Sequence, residues 1–202
     1  MAERATWTTQ EFGTSHAGAV GVLLADGTVP GAVFFDAGSG AGGERVTEWS
    51  VYDGRDGYGP RAAALRAVCS CGWAGVKHPL AWEEIGEEEL AIAGAGVADT
   101  CMQDWDTHAA EVDTSAVALP QSVTGLLDQL ENEIEKLTKT SPLAAVRAAR
   151  QLEVSAVQVG YWAARDARKE ATPAQAAAAL GLSEDAARNL LARFGRWSPY
   201  LH

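Results

Sequence analysis

Two cysteines stand one residue apart in the stretch AVCSCGWAGVKH (67–78), where Cys69, Cys71 and His78 supply soft and imidazole ligands within a dozen residues. Thiolate and imidazole are the donors of structural zinc, which takes about four of them in a tetrahedron, most often from a C-x2-4-C start. Cys69-x-Cys71 is one residue tighter than that. On a regular strand, residues i and i+2 stand about 6.6 Å apart, too far to share one ion readily, so their convergence demands that the chain turn between them. Gly72 allows that reversal. The remaining candidates are Cys101 and His108, which lie seven apart on an expected helix, about 10 Å along its axis. The set this spacing favours is Cys69, Cys71 and His108 with either His78 or Cys101, around one structural zinc ion in a ribbon-like corner. The competing reading is apolar: free cysteines behave as small hydrophobes, and Trp73, Trp82 and Trp105 would form a core with the thiols filling its gaps. Redox use is disfavoured, because a C-x-C disulfide closes a small, strained ring.

Other stretches suggest chemistry and then withhold it. GSGAGG places Gly38, Gly40 and Gly43 in a G-x-G-x-x-G pattern after an expected strand, but ERVTEWSVY (44–52) follows with strand alternation in place of the helix that a dinucleotide site requires. DGRDGYG (53–59) lacks the spacing and closing glutamate of a calcium loop and reads as a polar turn. Glu83, Glu84, Glu87, Glu88 and Glu89 carry too many like charges for a tuned acid/base pair and form a solvated or partner-facing surface. No G-x-S-x-G motif occurs, and the four histidines, His16, His78, His108 and His202, offer little for acid/base catalysis. A non-enzymatic protein is expected.

The elements that must position these groups follow from period and punctuation. AVGVLLA (18–24), the Asp26-Gly27 hairpin signal, TVPGAVFFD (28–36), ERVTEWSVY with Thr47, Trp49 and Val51 on one face, AAALRAVCS and a short return at WAGVK predict an antiparallel meander. WEEIGEEELAIAG and ADTCMQDWDTHAAEV predict two helices, and ALP (118–120) a break. Val123, Leu127, Leu130, Ile134 and Leu137 are spaced 4, 3, 4 and 3, an a/d seam of about two heptads. That seam serves either packing within its own domain or a homodimer through residues 123–137. Ser141-Pro142 starts an alanine-rich helix running to about Lys169. The expected class is α+β: an acidic β-rich module over 1–117, a heptad helix or linker over 118–140, and a helical domain over 141–202.

Charge follows the same division. The chain of 202 residues carries a formal −11, yet residues from Lys136 onward hold 10 Lys+Arg against 5 Asp+Glu. An acidic front joined to a basic end suggests modules with different partners. An odd cysteine count, no apolar run of about 20 residues and an N-terminus without a signal-peptide pattern predict a reduced, cytoplasmic protein without a membrane span.

In TPAQAAAALGLSEDAARNLLARFGR (172–196), Thr172 caps a helix starting at Pro173, and Gly181 sits where a left-handed residue ends it. Ser183 caps a second helix with Glu184 and Asp185 in its first turn, while Ala187, Leu191 and Phe194 recur on one face. The pattern A-x3-L-G-L-S-x3-A-x2-L-L, with VSAVQVGYWAARDARKE (154–170) before it, resembles the helix-turn-helix of bacterial transcription regulators, in particular the DNA-reading last region of sigma factors and related trihelical domains. The resemblance covers about 50 residues. It implies double-stranded DNA as partner and a contact set of Ser183, Arg188, Asn189, Arg193 and Arg196. Asn189 suits an adenine edge, Arg188 a guanine or phosphate, and Arg193 and Arg196 phosphates. Glu184, Asp185 and the outward Ala186 and Ala192 depart from that pattern and reduce direct readout. The sequence thus predicts a DNA-binding transcriptional regulator with a sensor or protein-interaction module in front. The alternative is an adaptor using the acidic face and the 123–137 seam.

Overall fold

The computed structural model describes residues 6–35, 44–55 and 59–196. The class is α+β, as the sequence predicts, with a small antiparallel sheet followed by helices. The chain divides into two compact units, Met1–Thr114 and Ser115–His202.

In the first unit, β1 (Gly18–Leu23) pairs antiparallel with β4 (Ala64–Cys69), from Gly18↔Cys69 to Leu23↔Ala64. A short β5 (His78–Pro79) lies on the other side of β4. β2 (Val33–Phe35) and β3 (Glu44–Val46) form a separate two-stranded sheet. The expected single meander is therefore split. Asp26-Gly27 does turn, with Gly27 at φ 82° and Asp26 accepting from the Thr28 amide, but it does not join β1 to β2. Pro30 has no N–H for a ladder, and the chain resumes strand geometry only at Val33. β1 is buried along its whole length and takes β4 as its neighbour. The alternation of ERVTEWSVY also stops early: β3 ends at Val46, and Trp49–Val51 is a 3-10 turn. The GSGAGG glycines lie outside the described residues, as does the middle of DGRDGYG; at its start Asp53 accepts from the Arg55 amide in a local turn.

The region from Trp82 is more broken than its composition predicts. α1 (Trp82–Ile85) stops at Gly86, whose φ of 56° favours glycine, and α2 (Leu90–Ala93) is a single turn before α3 (Ala95–Ser115). Cys101, Trp105 and Ala109 recur at i, i+4 and i+8 on α3 and join the core of β1 and β4 through Val20, Leu65 and Ala67. Gly18 is required at the contact. A Cβ there would lie 2.5 Å from indole atoms of Trp105, so only the bare backbone lets the ring lie against the strand.

In the second unit, α4 (Gln121–Thr140) turns at Ser141 into α5 (Pro142–Glu170), with Pro142 in the first helical turn. The Ser141 hydroxyl makes no capping hydrogen bond; its amide closes α4 on Leu137. No residue of α4 is buried. α6 (Pro173–Leu180) and α7 (Glu184–Phe194) follow, and α7 packs on both α5 and α6. Gly160 of α5 makes room for Phe194: a Cβ would stand 3.0 Å from its ring.

Candidate metal centre and the exposed face of the last helix

The reversal between the cysteines is present. Cys69 ends β4, the Gly72 amide donates to the Cys69 carbonyl at 2.9 Å, and Gly72 adopts φ 98°, so the Trp73 carbonyl returns to accept from the Cys69 amide. A three-residue turn, Ser70-Cys71-Gly72, thereby swings Cys71 back toward Cys69. The segment before β1 is fastened to the same turn. The Ser70 amide donates to the Ala17 carbonyl, the Ala17 amide donates to Ser70 Oγ, and Ser70 Oγ–H donates to the Thr14 carbonyl, all at 2.9 Å. His16, at the end of a 3-10 turn (Gly13–His16), is held over Cys69 by these bonds.

One ligand atom each from His16, Cys69, Cys71 and His108 falls within 4.8 Å of all the others. His16 Nδ1 stands 3.5 Å from Cys69 Sγ, and His108 Nε2 stands 3.4 Å from Cys71 Sγ. Tetrahedral zinc, at about 2.3 Å from sulfur and about 2.0 Å from nitrogen, sets an S···N edge of about 3.5 Å. Both measured pairs match that edge. His16, Cys69 and His108 are buried and Cys71 is half-buried, so the four donors form a closed cluster that could hold a metal ion. The surroundings fix the rings. The Trp73 indole lies flat on His108, with centroids 4.3 Å apart and planes within 3° of parallel, and Phe12 meets His16 edge-on at 5.4 Å. The Trp73 amide donates to Cys71 Sγ at 3.4 Å, an outer-shell bond that favours thiolate.

Burial works the other way on the empty-handed thiol. It pushes Cys71 up to about 11, with the neighbouring Cys69 adding to the shift. His108 is pulled below its usual value by burial and then by His16. A cation among these groups would reverse the balance for the thiols, because coordination requires thiolate.

The structure brings Cys69, Cys71 and His108 together, and departs from the sequence-derived set at the fourth place. That place is filled by His16, with neither His78 nor Cys101 in the cluster. His78 Nε2 instead pairs with Asp104 Oδ2 at 2.7 Å. Cys101 is fully buried in the core further along α3, its thiol pushed up to about 11 by burial. The helical rise separates Cys101 from His108, as their seven-residue interval demands. The apolar reading of the tryptophans holds in part: Trp105 is core, while Trp73 lies flat on a histidine of the cluster.

In the second unit, α6 opens with a reciprocal capping box. The Gln175 amide donates to Thr172 Oγ1 at 3.2 Å, and the Thr172 amide donates to Gln175 Oε1 at 2.9 Å. Gly181 closes it in the left-handed conformation (φ 59°, ψ 41°), and the Leu182 amide reaches back to the Ala177 carbonyl. Ser183 Oγ accepts from the Ala186 amide at 3.2 Å, so its hydroxyl is committed to the cap. Ala187 is buried and Leu191 and Phe194 are half-buried, while Arg188, Asn189, Arg193 and Arg196 are exposed. Arg188 pairs with Asp185 at 2.7 Å, both exposed, a contact of little worth. Arg168 of α5 donates to the Leu191 carbonyl, tying α7 to its supporting helix. The acidic residues Glu83, Glu84, Glu87, Glu88 and Glu89 are all exposed.

No known protein-family model, curated protein or solved structure matches this chain. Among the described residues, no helix is long and apolar enough to cross a membrane.

Proposed function

We propose that this chain is a DNA-binding regulator that presents α7 to duplex DNA and carries a zinc-pinned sensor or interaction unit in front of it. One observation carries the DNA reading. The turn from α6 to α7, built by a left-handed Gly181 and a Ser183 cap, leaves Arg188, Asn189 and Arg193 exposed on a helix whose other side is packed, with Arg196 exposed in the turn just beyond its end. Three arginines suit phosphates and an asparagine suits an adenine edge. Glu184 and Asp185 at the helix start disfavour close approach of phosphate there, so contacts concentrate on the Arg188–Arg196 half.

The metal in this reading is zinc, held by His16, Cys69, Cys71 and His108. Two thiolates and two imidazoles are its usual structural donors, and four protein ligands leave no position open for substrate. Its role is to fasten the segment before β1 to the β4 turn and to α3. Selection from a randomised duplex pool with the full chain tests the DNA reading: a recurrent enriched motif supports it, and an unenriched pool contradicts it. The exposed acidic row on α1 and its following loop favours a second reading, an adaptor binding a basic protein partner, which an unenriched pool would leave in first place.

A further inference from the structure

The hairpin of α4 and α5 leaves several large apolar side chains exposed. Leu127 and Leu130 of α4 are exposed, and with Ile134 and Leu152 they line a groove of about 560 Å³. Two carboxylates, Glu131 and Glu135, edge the same groove. On the neighbouring helix, Leu143, Val146, Arg147 and Arg150 fall at i, i+3, i+4 and i+7, which is one face. That face is unpartnered: Leu143 is 84% and Val146 67% exposed. Among the described residues, Arg150 pairs with the exposed Glu153 at 2.9 Å, a pair that breaks at little cost.

Groove and stripe are complementary in kind. One is apolar with acidic edges, and the other is apolar with two guanidinium groups. The helices also differ in sign: α4 holds 4 Asp+Glu against 2 Lys, and α5 holds 5 Lys+Arg against 3 Asp+Glu. A surface that carries both a groove and the stripe that fits it is self-complementary, the requirement for a two-fold symmetric interface in which each patch meets its counterpart twice.

We propose that the partner of this surface is a second copy of the chain. The Leu143–Val146 stripe of each copy packs across the Leu127–Ile134 groove of the other, with Arg147 and Arg150 facing Glu131 and Glu135. The result is a four-helix arrangement in which α4 lies on the partner's α5. Helix α4 on the partner's α4 would bring two net-negative helices together, which like-charge repulsion disfavours. The seam at 123–137 thereby contributes one half of an interface rather than a self-paired coiled coil. The inference is independent of both the DNA and the metal readings.

Charge exchange tests it. Sedimentation velocity of the full chain at tens of micromolar and low ionic strength is expected to show a dimer. Glu131→Arg with Glu135→Arg places four cations across each contact and is expected to weaken dimerisation at least tenfold, as is Arg147→Glu with Arg150→Glu. The fourfold variant restores opposite charges and is expected to recover the dimer. All four substituted positions are exposed, so helicity by circular dichroism should stay unchanged. A wild-type chain that remains monomeric overturns the proposal, as does a dimer unmoved by either pair of reversals or one not recovered in the fourfold variant.

Discussion

Cys71 Sγ lies 3.4 Å from His108 Nε2, although the two residues are 37 positions apart and belong to a hairpin turn and the middle of a long helix. The pairing repeats at His16 and Cys69, where the separation is 3.5 Å. Two thiol–imidazole contacts at the edge length of a zinc tetrahedron, formed by three separate chain segments, are what an ion-binding corner requires.

Metal analysis distinguishes this corner from the other histidine and cysteine positions. The purified chain is expected to hold close to one zinc per molecule by mass spectrometry. Cys71→Ser, His16→Gln and His108→Gln should each lower zinc affinity by tenfold or more. His78→Gln and Cys101→Ala should retain it, although Cys101→Ala will lower stability by removing a buried sulfur atom. Retention of zinc by His16→Gln together with loss in His78→Gln would overturn the ligand assignment.

Protonation gives a second, independent reading of the same site. With the Cys71 thiol pushed up to about 11, the metal-free protein holds that proton at pH 7, and zinc must displace it. Calorimetric titration in buffers of different ionisation enthalpy should therefore show release of at least one proton per zinc. His108 acts in the metal-free protein: its folded value lies below the unfolded value of about 6.5, so the neutral ring is favoured in the fold. Its contribution to stability is complete above about pH 6.5 and is lost as pH falls through the lower folded value. The denaturation midpoint of zinc-free protein should fall between about pH 7 and 5, less steeply in His108→Gln. Equal slopes in the two proteins would remove this group from the pH dependence.

The contact of Gly18 with Trp105 makes a packing prediction. Gly18→Ala drives a methyl group into the indole on a strand that cannot easily move away, and overpacking of this kind costs about 1–3 kcal/mol. Urea denaturation of the metal-loaded protein should show the loss, and an unchanged midpoint would mean that α3 shifts freely against β1.

Local signals were the legible part of this fold. Thr172, Gly181 and Ser183 act within a few residues of themselves, and their caps and turn form where the sequence predicts them. Gly72 likewise marks the reversal that lets Cys69 and Cys71 converge. Strand pairing was not legible to the same degree. Asp26-Gly27 is a hairpin dipeptide, yet β1 takes β4, about 40 residues away, as its neighbour. His16 was missed for that reason. Once Gly18 is set opposite Cys69, continuing the antiparallel register two steps carries His16 to the level of Cys71, but no local pattern around His16 announces it. The signal available was the pairing of two apolar runs, AVGVLLA and AAALRAVCS, whose composition fits adjacent buried strands. Gly86 breaks the helix that the run of glutamates predicts, because its positive φ ends α1.

The turn into α7 depends on one residue in the left-handed region. Gly181→Ala places a Cβ where φ is 59°, at a cost of about 1 kcal/mol, and Ser183→Ala removes a cap of about the same worth. Thermal denaturation should register both. In the DNA-binding reading both should also weaken duplex affinity without changing zinc content, since neither residue lies in the unit that carries the His16, Cys69, Cys71 and His108 cluster.

Duplex binding by the full chain as a function of salt tests the central claim most directly. With phosphates met by Arg188, Arg193 and Arg196, a plot of log affinity against log salt is expected to fall with a slope of about −3. Arg188→Ala with Arg193→Ala should make that slope shallower by about 2 and reduce affinity by at least tenfold at low salt. No duplex affinity at low ionic strength, or an affinity whose salt slope is untouched by removing both arginines, would contradict the account.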